Sequence, residues 1–157
     1  MESSIKNNFE SLPVETKTLT RKELEKIILD EDGFTVKDKR FLPKEEGGVF
    51  YYFRPEDLRE VDYFPVVKEG DMITGIASLT KSPFTEKVFW MMSISVDQKY
   101  QGKHYATKLV EEIIRFTKEQ GYELSVSGYR NKEVKDKLER LFTEFAEKYE
   151  VILVPQD

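Results

Sequence analysis

Ten consecutive residues hold most of the chain's chemical interest: Asp97-Gln98-Lys99-Tyr100-Gln101-Gly102-Lys103-His104-Tyr105-Ala106. They follow a long apolar run, Val88 to Val96. They lead into the cleanest helical periodicity of the sequence, with Ala106, Leu109, Val110, Ile113, Ile114 and Thr117 falling on one face. A helix start presents amides without intrahelical acceptors and the positive end of the helix dipole, so it favours a phosphate or pyrophosphate. Small residues let such an anion reach the backbone, and Gly102 and Ala106 are small. On spacing alone the stretch fits both an anion site and a strand–turn–helix corner that binds nothing.

Composition removes other chemistries. The 157 residues include no cysteine and one histidine, His104. Disulfides, thiolate nucleophiles, cysteine-ligated zinc and a histidine-built metal site are therefore excluded, and no metal is expected. The lack of cysteine fits a reducing compartment, and the expected location is cytoplasmic. A Ser-His-Asp hydrolase would have to use His104 as its base, but the chain has no nucleophile-elbow motif. Net charge is −5, from 25 Lys and Arg against 30 Asp and Glu. That balance argues against nucleic acid as a partner and mildly favours a cationic one such as an amine. No secretory signal and no apolar run near 18 residues is visible, so no membrane partner is expected.

The elements that must position the turn are legible in outline. The length suits a single domain over 1–157, with residues 1–16 read as a flexible N-terminus. Thr20, Glu23 and the Leu19–Leu24 pair form a helix-start signature, with Gly33 as its stop. Val49 to Phe53 reads as a strand, and Pro55 to Leu58 as a helical turn. Strands are predicted at Tyr63–Lys68, Met72–Thr80 and Val88–Val96, the last buried on both faces, with Trp90, Met91 and Met92 as core. The helix after the turn should end at Lys118-Glu119-Gln120-Gly121, followed by a strand at Tyr122–Ser127. A second helix should start at Asn131 and bury Val134, Leu138, Leu141, Phe142, Phe145 and Tyr149, before a last strand at Val151–Val154. The fold class is thus α/β (α+β): a mixed, mainly antiparallel sheet with helices on both faces.

From about Phe64 to Asn131 the chain resembles the GNAT superfamily of N-acetyltransferases. That family's signature, Q/R-x-x-G-x-G/A, follows a long strand and opens a helix; Gln101 and Ala106 match its first and sixth positions. The Gly75 strand, the strand ending in Val96, the Leu109-Val110 helix and the corner from Ser127 to Asn131 also match. One position departs: the family's central glycine is His104 here, a change the groove tolerates if that residue is already helical.

The resemblance implies an acyl-CoA N-acyltransferase fold, with residues 64–131 as the cofactor-binding core and acetyl-CoA as donor. It implies that the backbone of Ile94, Ser95 and Val96 holds the pantetheine arm like an added strand. The amides of Gln101, Gly102, Lys103, His104, Tyr105 and Ala106 would hold the pyrophosphate, and Asn131 would contact the cofactor. A primary amine, on a small molecule or a protein, would attack the thioester directly, and the protein would be a monomer or homodimer. No base is readable, because Trp90 to Val96 carries no carboxylate. Many relatives carry a tyrosine in the last helix as the acid; Lys137-Leu138-Glu139 has none, and Tyr129 is the substitute candidate. The alternative function is an inert domain of the same shape with a regulatory or partner-binding role. Asp30 to Asp32 and Glu45-Glu46 read more simply as solvated charge than as acceptor-steering groups.

Overall fold

The computed structural model of the chain describes residues 13–32, 59–97, 102, 104–126 and 132–155. The strand at Val49–Phe53, the turn at Pro55–Leu58 and the stop at Gly33 lie outside them.

Among the described residues, five strands form one sheet in sequence order. They are β1 (Val14–Thr20), β2 (Tyr63–Glu69), β3 (Met72–Lys81), β4 (Val88–Val96) and β5 (Glu123–Val126). The first four are antiparallel neighbours, whereas β5 runs parallel to β4. The helices are α1 (Arg21–Ile28), α2 (Tyr105–Gln120) and α3 (Lys132–Tyr149). This is the expected mixed, mainly antiparallel sheet. Among the described residues no helix is long and apolar enough to cross a membrane.

The strand β1 was not expected. Its alternation is weak because only Leu19 is buried, so the run VETKTLT carries little hydrophobic signal. It begins inside the stretch read as a flexible N-terminus. A polar link compensates for the thin apolar face: Thr18 Oγ1 donates to Glu112 Oε2 on α2 at 2.8 Å. The Glu112 carboxylate is buried and also accepts from Arg115 Nε and Nη2 at 2.9 and 2.8 Å. That pairing raises the Arg115 guanidinium's proton affinity, chiefly through the Glu112 hydrogen bonds.

The expected start of α1 is present in full. The Glu23 amide donates to Thr20 Oγ1 and the Thr20 amide donates to Glu23 Oε1, a reciprocal cap. The Thr20 amide holds the Glu23 carboxyl below its ordinary range. The cap's stabilisation is therefore present at neutral pH and is lost as pH falls through that lowered value. The helix ends at Ile28, ahead of Gly33.

The two sheet faces bury separate cores. Leu24 and Ile28 of α1 pack with Leu19, Phe64, Val66, Ile73 and Ile76 on one face. Leu109, Val110, Ile113 and Ile114 of α2 pack with Val67, Ala77, Leu79, Phe89 and Met91 on the other. From α3, Leu138, Phe142 and Ala146 join this second core. Val134, expected in the buried stripe of α3, is exposed. The C-terminal strand reduces to a single parallel bridge between Leu124 and Leu153.

Glu112→Ala should expose how far β1 depends on its polar link. It orphans the Thr18 hydroxyl and leaves a void beneath the Arg115 side chain, so we expect a loss of about 2 kcal/mol. Thr18→Val should cost roughly half as much. Both are measurable as shifts in denaturant midpoint at unchanged m-value.

Candidate acyl-CoA site

The chain between β4 and α2 is placed by two features of β4. First, its pairing with β3 slips by one residue, because Ser78 pairs with Ser93 but Leu79 pairs with Met91. Met92 is thus the extra residue of a β-bulge. The slip restores the inward phase further along: Phe89 and Met91 face α2 before it, Ile94 and Val96 after it. It also exposes Met92 and prevents the double burial expected for the whole strand; Met91 alone of the three predicted core residues is in the core. Second, β4 outruns β5. Their rungs join Val88–Glu123, Phe89–Leu124, Trp90–Ser125 and Met91–Val126, the last described residue of β5. From Met92 to Val96 no rung to β5 occurs among the described residues, while β3 remains paired from Gly75 to Ser78.

Ile94, Ser95 and Val96 lie on this extension and are half-buried. Their backbone is committed to β3 on one side and, among the described residues, has no β5 rung on the other. Gly75 sits opposite Val96, and a Cβ there would lie 3.5 Å from Leu109 Cδ2. The first turns of α2 therefore pass directly over the end of β4.

The helix start differs from that of α1. His104 is its cap residue, with φ 62° and ψ 22°, and its side chain makes no capping hydrogen bond. No acidic side chain stands in the first turn. The first intrahelical bond runs from the Lys108 amide to the His104 carbonyl at 3.1 Å. Ala106 and Thr107 precede Lys108 and have no acceptor within the helix. Gly102 has φ 88°, and nothing lies within 4 Å of where its Cβ would be. The helix end is thus uncapped and the backbone at Gly102 is open, the two conditions an anion at a helix start requires. Tyr105 has its side chain buried, and its hydroxyl donates to Glu69 Oε2 at 2.6 Å, tying the helix start to the end of β2.

His104 is therefore not helical, contrary to the condition attached to it from sequence. It stands one residue before the helix in the left-handed region, where a Cβ costs roughly 1–2 kcal/mol. The geometry explains why a glycine serves at this position: the chain must turn with positive φ just before the amides. Of the other predicted site residues, Gln101, Lys103, Tyr129 and Asn131 lie outside the described residues, while Gly102, Tyr105 and Ala106 sit at the helix start.

Two groups at the same place were missed from sequence. Trp90 Nε1 and Ser125 Oγ are buried without a hydrogen-bond partner among the described residues. They face each other on the next-to-last rung before β4 and β5 part. Trp90 reads as core by its hydrophobicity, and the Ser125 signal is a single small residue in a strand, so neither stands out before the register is known.

A family model for the acetyltransferase (GNAT) family matches residues 23–135. The chain belongs to that family. This GNAT domain is also similar in fold to three solved acetyltransferases. The IAA acetyltransferase from Bacillus cereus is 17% identical, covers 82% of this chain and 74% of its own, and gives a TM-score of 0.52. An aminoglycoside acetyltransferase from an uncultured soil metagenomic sample, solved with sisomicin, is 18% identical, with coverages of 92% and 91% and a TM-score of 0.52. An aminoglycoside N-acetyltransferase solved with CoA is 10% identical, with coverages of 92% and 91% and a TM-score of 0.50. No curated protein matches the chain.

His104→Gly should raise stability by up to about 1 kcal/mol, because relief of the left-handed strain exceeds the extra chain entropy of glycine. The check is a melting temperature a few degrees higher in this variant. An unchanged or lower value would show that the imidazole repays the strain through contacts of its own.

Proposed function

We propose that this GNAT domain transfers an acetyl group from acetyl-CoA to a primary amine by direct attack. The supporting observation is the juxtaposition at the end of β4: an edge without β5 rungs among the described residues runs beneath an uncapped helix start with an open glycine approach. These two features suit the two ends of one donor. The strand edge suits an extended amide-bearing arm, and the helix start suits a diphosphate. Acetyl-CoA supplies the activated acyl group; the rest falls to the chain. The amides of Gly102 to Ala106, with Gln101 and Lys103, would hold the pyrophosphate. Ile94, Ser95 and Val96 would hold the pantetheine arm, and Asn131 would complete the contact.

An amide near Ile94 or Ser95 would meet the charge developing on the thioester oxygen, where a preorganised donor is most effective. The amine must arrive neutral. With a pKa of about 10.4, an alkylamine is only on the order of a thousandth neutral near pH 7.4, a shortage equal to roughly 4 kcal/mol. With no carboxylate on β4, the chain relies on lowering the amine's pKa, and Tyr129 would serve as the acid that protonates the departing CoA thiolate. The same lack of a carboxylate, together with the replaced motif glycine, favours a second reading, in which the domain binds the donor without catalysis.

Acetyl-CoA at 100 times its dissociation constant should stabilise the protein by about 2.7 kcal/mol. Ala106→Glu should abolish that shift without unfolding the helix, because an acid in the first turn suits the dipole but repels a diphosphate. An unchanged shift in this variant would refute the proposed register. A shift without thiol release across an amine panel would select the non-catalytic reading.

For an active enzyme, kcat/KM toward an alkylamine should rise about tenfold per pH unit between pH 7 and 9. A flat profile over that range would reveal a base not accounted for here.

A further inference from the structure

We propose that Glu69 and Tyr105 form a positioning pair for the donor site: the bond between them holds the start of α2 where its amides meet the diphosphate, and affinity for acetyl-CoA depends on it. This inference rests on the donor-binding part of the acyl-transfer reading, and it names a residue on another element that sets the strength of that binding. The signature Q/R-x-x-G-x-G/A leaves its fifth position open, and in this chain that position is Tyr105. The link is therefore a property of this sequence and not of the motif. Alternation along β2 places Glu69 on the same face as Val67, which packs in the core beneath α2. A carboxylate there stands half-buried under a helix and needs a partner. Tyr105 supplies it: the side chain is buried in the same core, and its hydroxyl donates to Glu69 Oε2 at 2.6 Å. Bonds from a hydroxyl to a carboxylate run at about 2.5–2.7 Å and are roughly twice as strong as neutral ones.

The rest of the corner makes this bond matter. The helix α2 has no side-chain cap, and His104 holds a left-handed conformation at its start. On the other side of the turn, the Asp97 amide donates to the Thr74 carbonyl at 2.8 Å. Thr74 is the extra residue of a bulge in β3, since Val67 pairs with Gly75 but Lys68 pairs with Ile73. Its hydroxyl donates to the Val67 carbonyl at 3.2 Å. Both contacts therefore end on the β2–β3 hairpin, whose Gly70 amide donates in turn to the Pro13 carbonyl at 2.9 Å. The hairpin fixes where the chain leaves β4 and where it enters α2, and the proposed diphosphate site lies between those two points. Leu109 on Gly75 also seats α2, but it lies about one turn further on, so the Tyr105 bond acts closer to the helix-start amides. Amides held in place before a ligand arrives need no ordering when it binds, so loosening them appears as lost affinity.

The experiment measures acetyl-CoA dissociation constants by calorimetry on the full chain, well below its melting temperature. Tyr105→Phe keeps the ring in the core and removes only the hydroxyl; we expect it to weaken acetyl-CoA about five- to tenfold. Glu69→Ala should do the same, and the double variant should lose no more than either alone, because the two groups act as one contact. Glu69→Gln keeps an acceptor for the hydroxyl and should recover most of the affinity. A bond that serves only the fold predicts lower melting temperatures with unchanged dissociation constants. That result, additive losses in the double variant, or a loss in Glu69→Gln equal to that in Glu69→Ala overturns the pairing and leaves the donor reading in place. If the unaltered chain binds no acetyl-CoA, the donor reading itself falls, and the pairing with it.

Discussion

One constraint organises this domain: among the described residues, β4 is bonded along two edges for only part of its length. Up to Met91 it is held by β3 and β5 together; beyond Met91 the described rungs are those to β3. A strand whose backbone groups lose one neighbour must find another partner for them, because unsatisfied amides and carbonyls inside a fold are costly. The proposed donor would act as that partner.

The bulge at Met92 makes the extension compatible with the core. Without it, strict alternation after Phe89 and Met91 would turn Ser93 and Ser95 toward α2 and send Ile94 and Val96 to the opposite face. The inserted residue reverses the phase, so the apolar pair still packs under α2 while Ser93 joins Ser78 on the far side. A one-residue irregularity therefore gives the same strand segment an apolar underside and a hydroxyl-bearing upper side. The helix start is anchored independently: Leu109 packs over Gly75, and Tyr105 reaches Glu69. These two contacts hold the uncapped end of α2 in place without using a capping side chain.

Much of this was legible in the sequence because it rests on local signals. The reciprocal cap at Thr20 and Glu23, the apolar stripe of α2 and its glycine stop at Gly121, φ 73°, follow from spacing and residue type. The motif from Gln101 to Ala106 named the family, which the model over residues 23–135 bears out. What escaped was non-local. The strand β1 takes its stability from β2 and from a glutamate 94 positions away, neither of which marks the run VETKTLT as a strand. The Met92 bulge depends on the register against β3, so Trp90, Met91 and Met92 looked alike as core residues although the structure sends them to three different environments.

His104 shows how the two kinds of information meet. Sequence comparison marks it as a departure, and a departure in a motif invites the inference that binding has been lost. The backbone says something narrower. What the motif glycine provides is a left-handed turn, and His104 makes that turn, at φ 62°. The imidazole is exposed, so the cost falls on local conformation and leaves the approach at Gly102, where nothing stands within 4 Å of the missing Cβ, open. The substitution therefore bears first on the stability of the corner. It bears on the donor only through the contacts the imidazole makes once an anion is beside it.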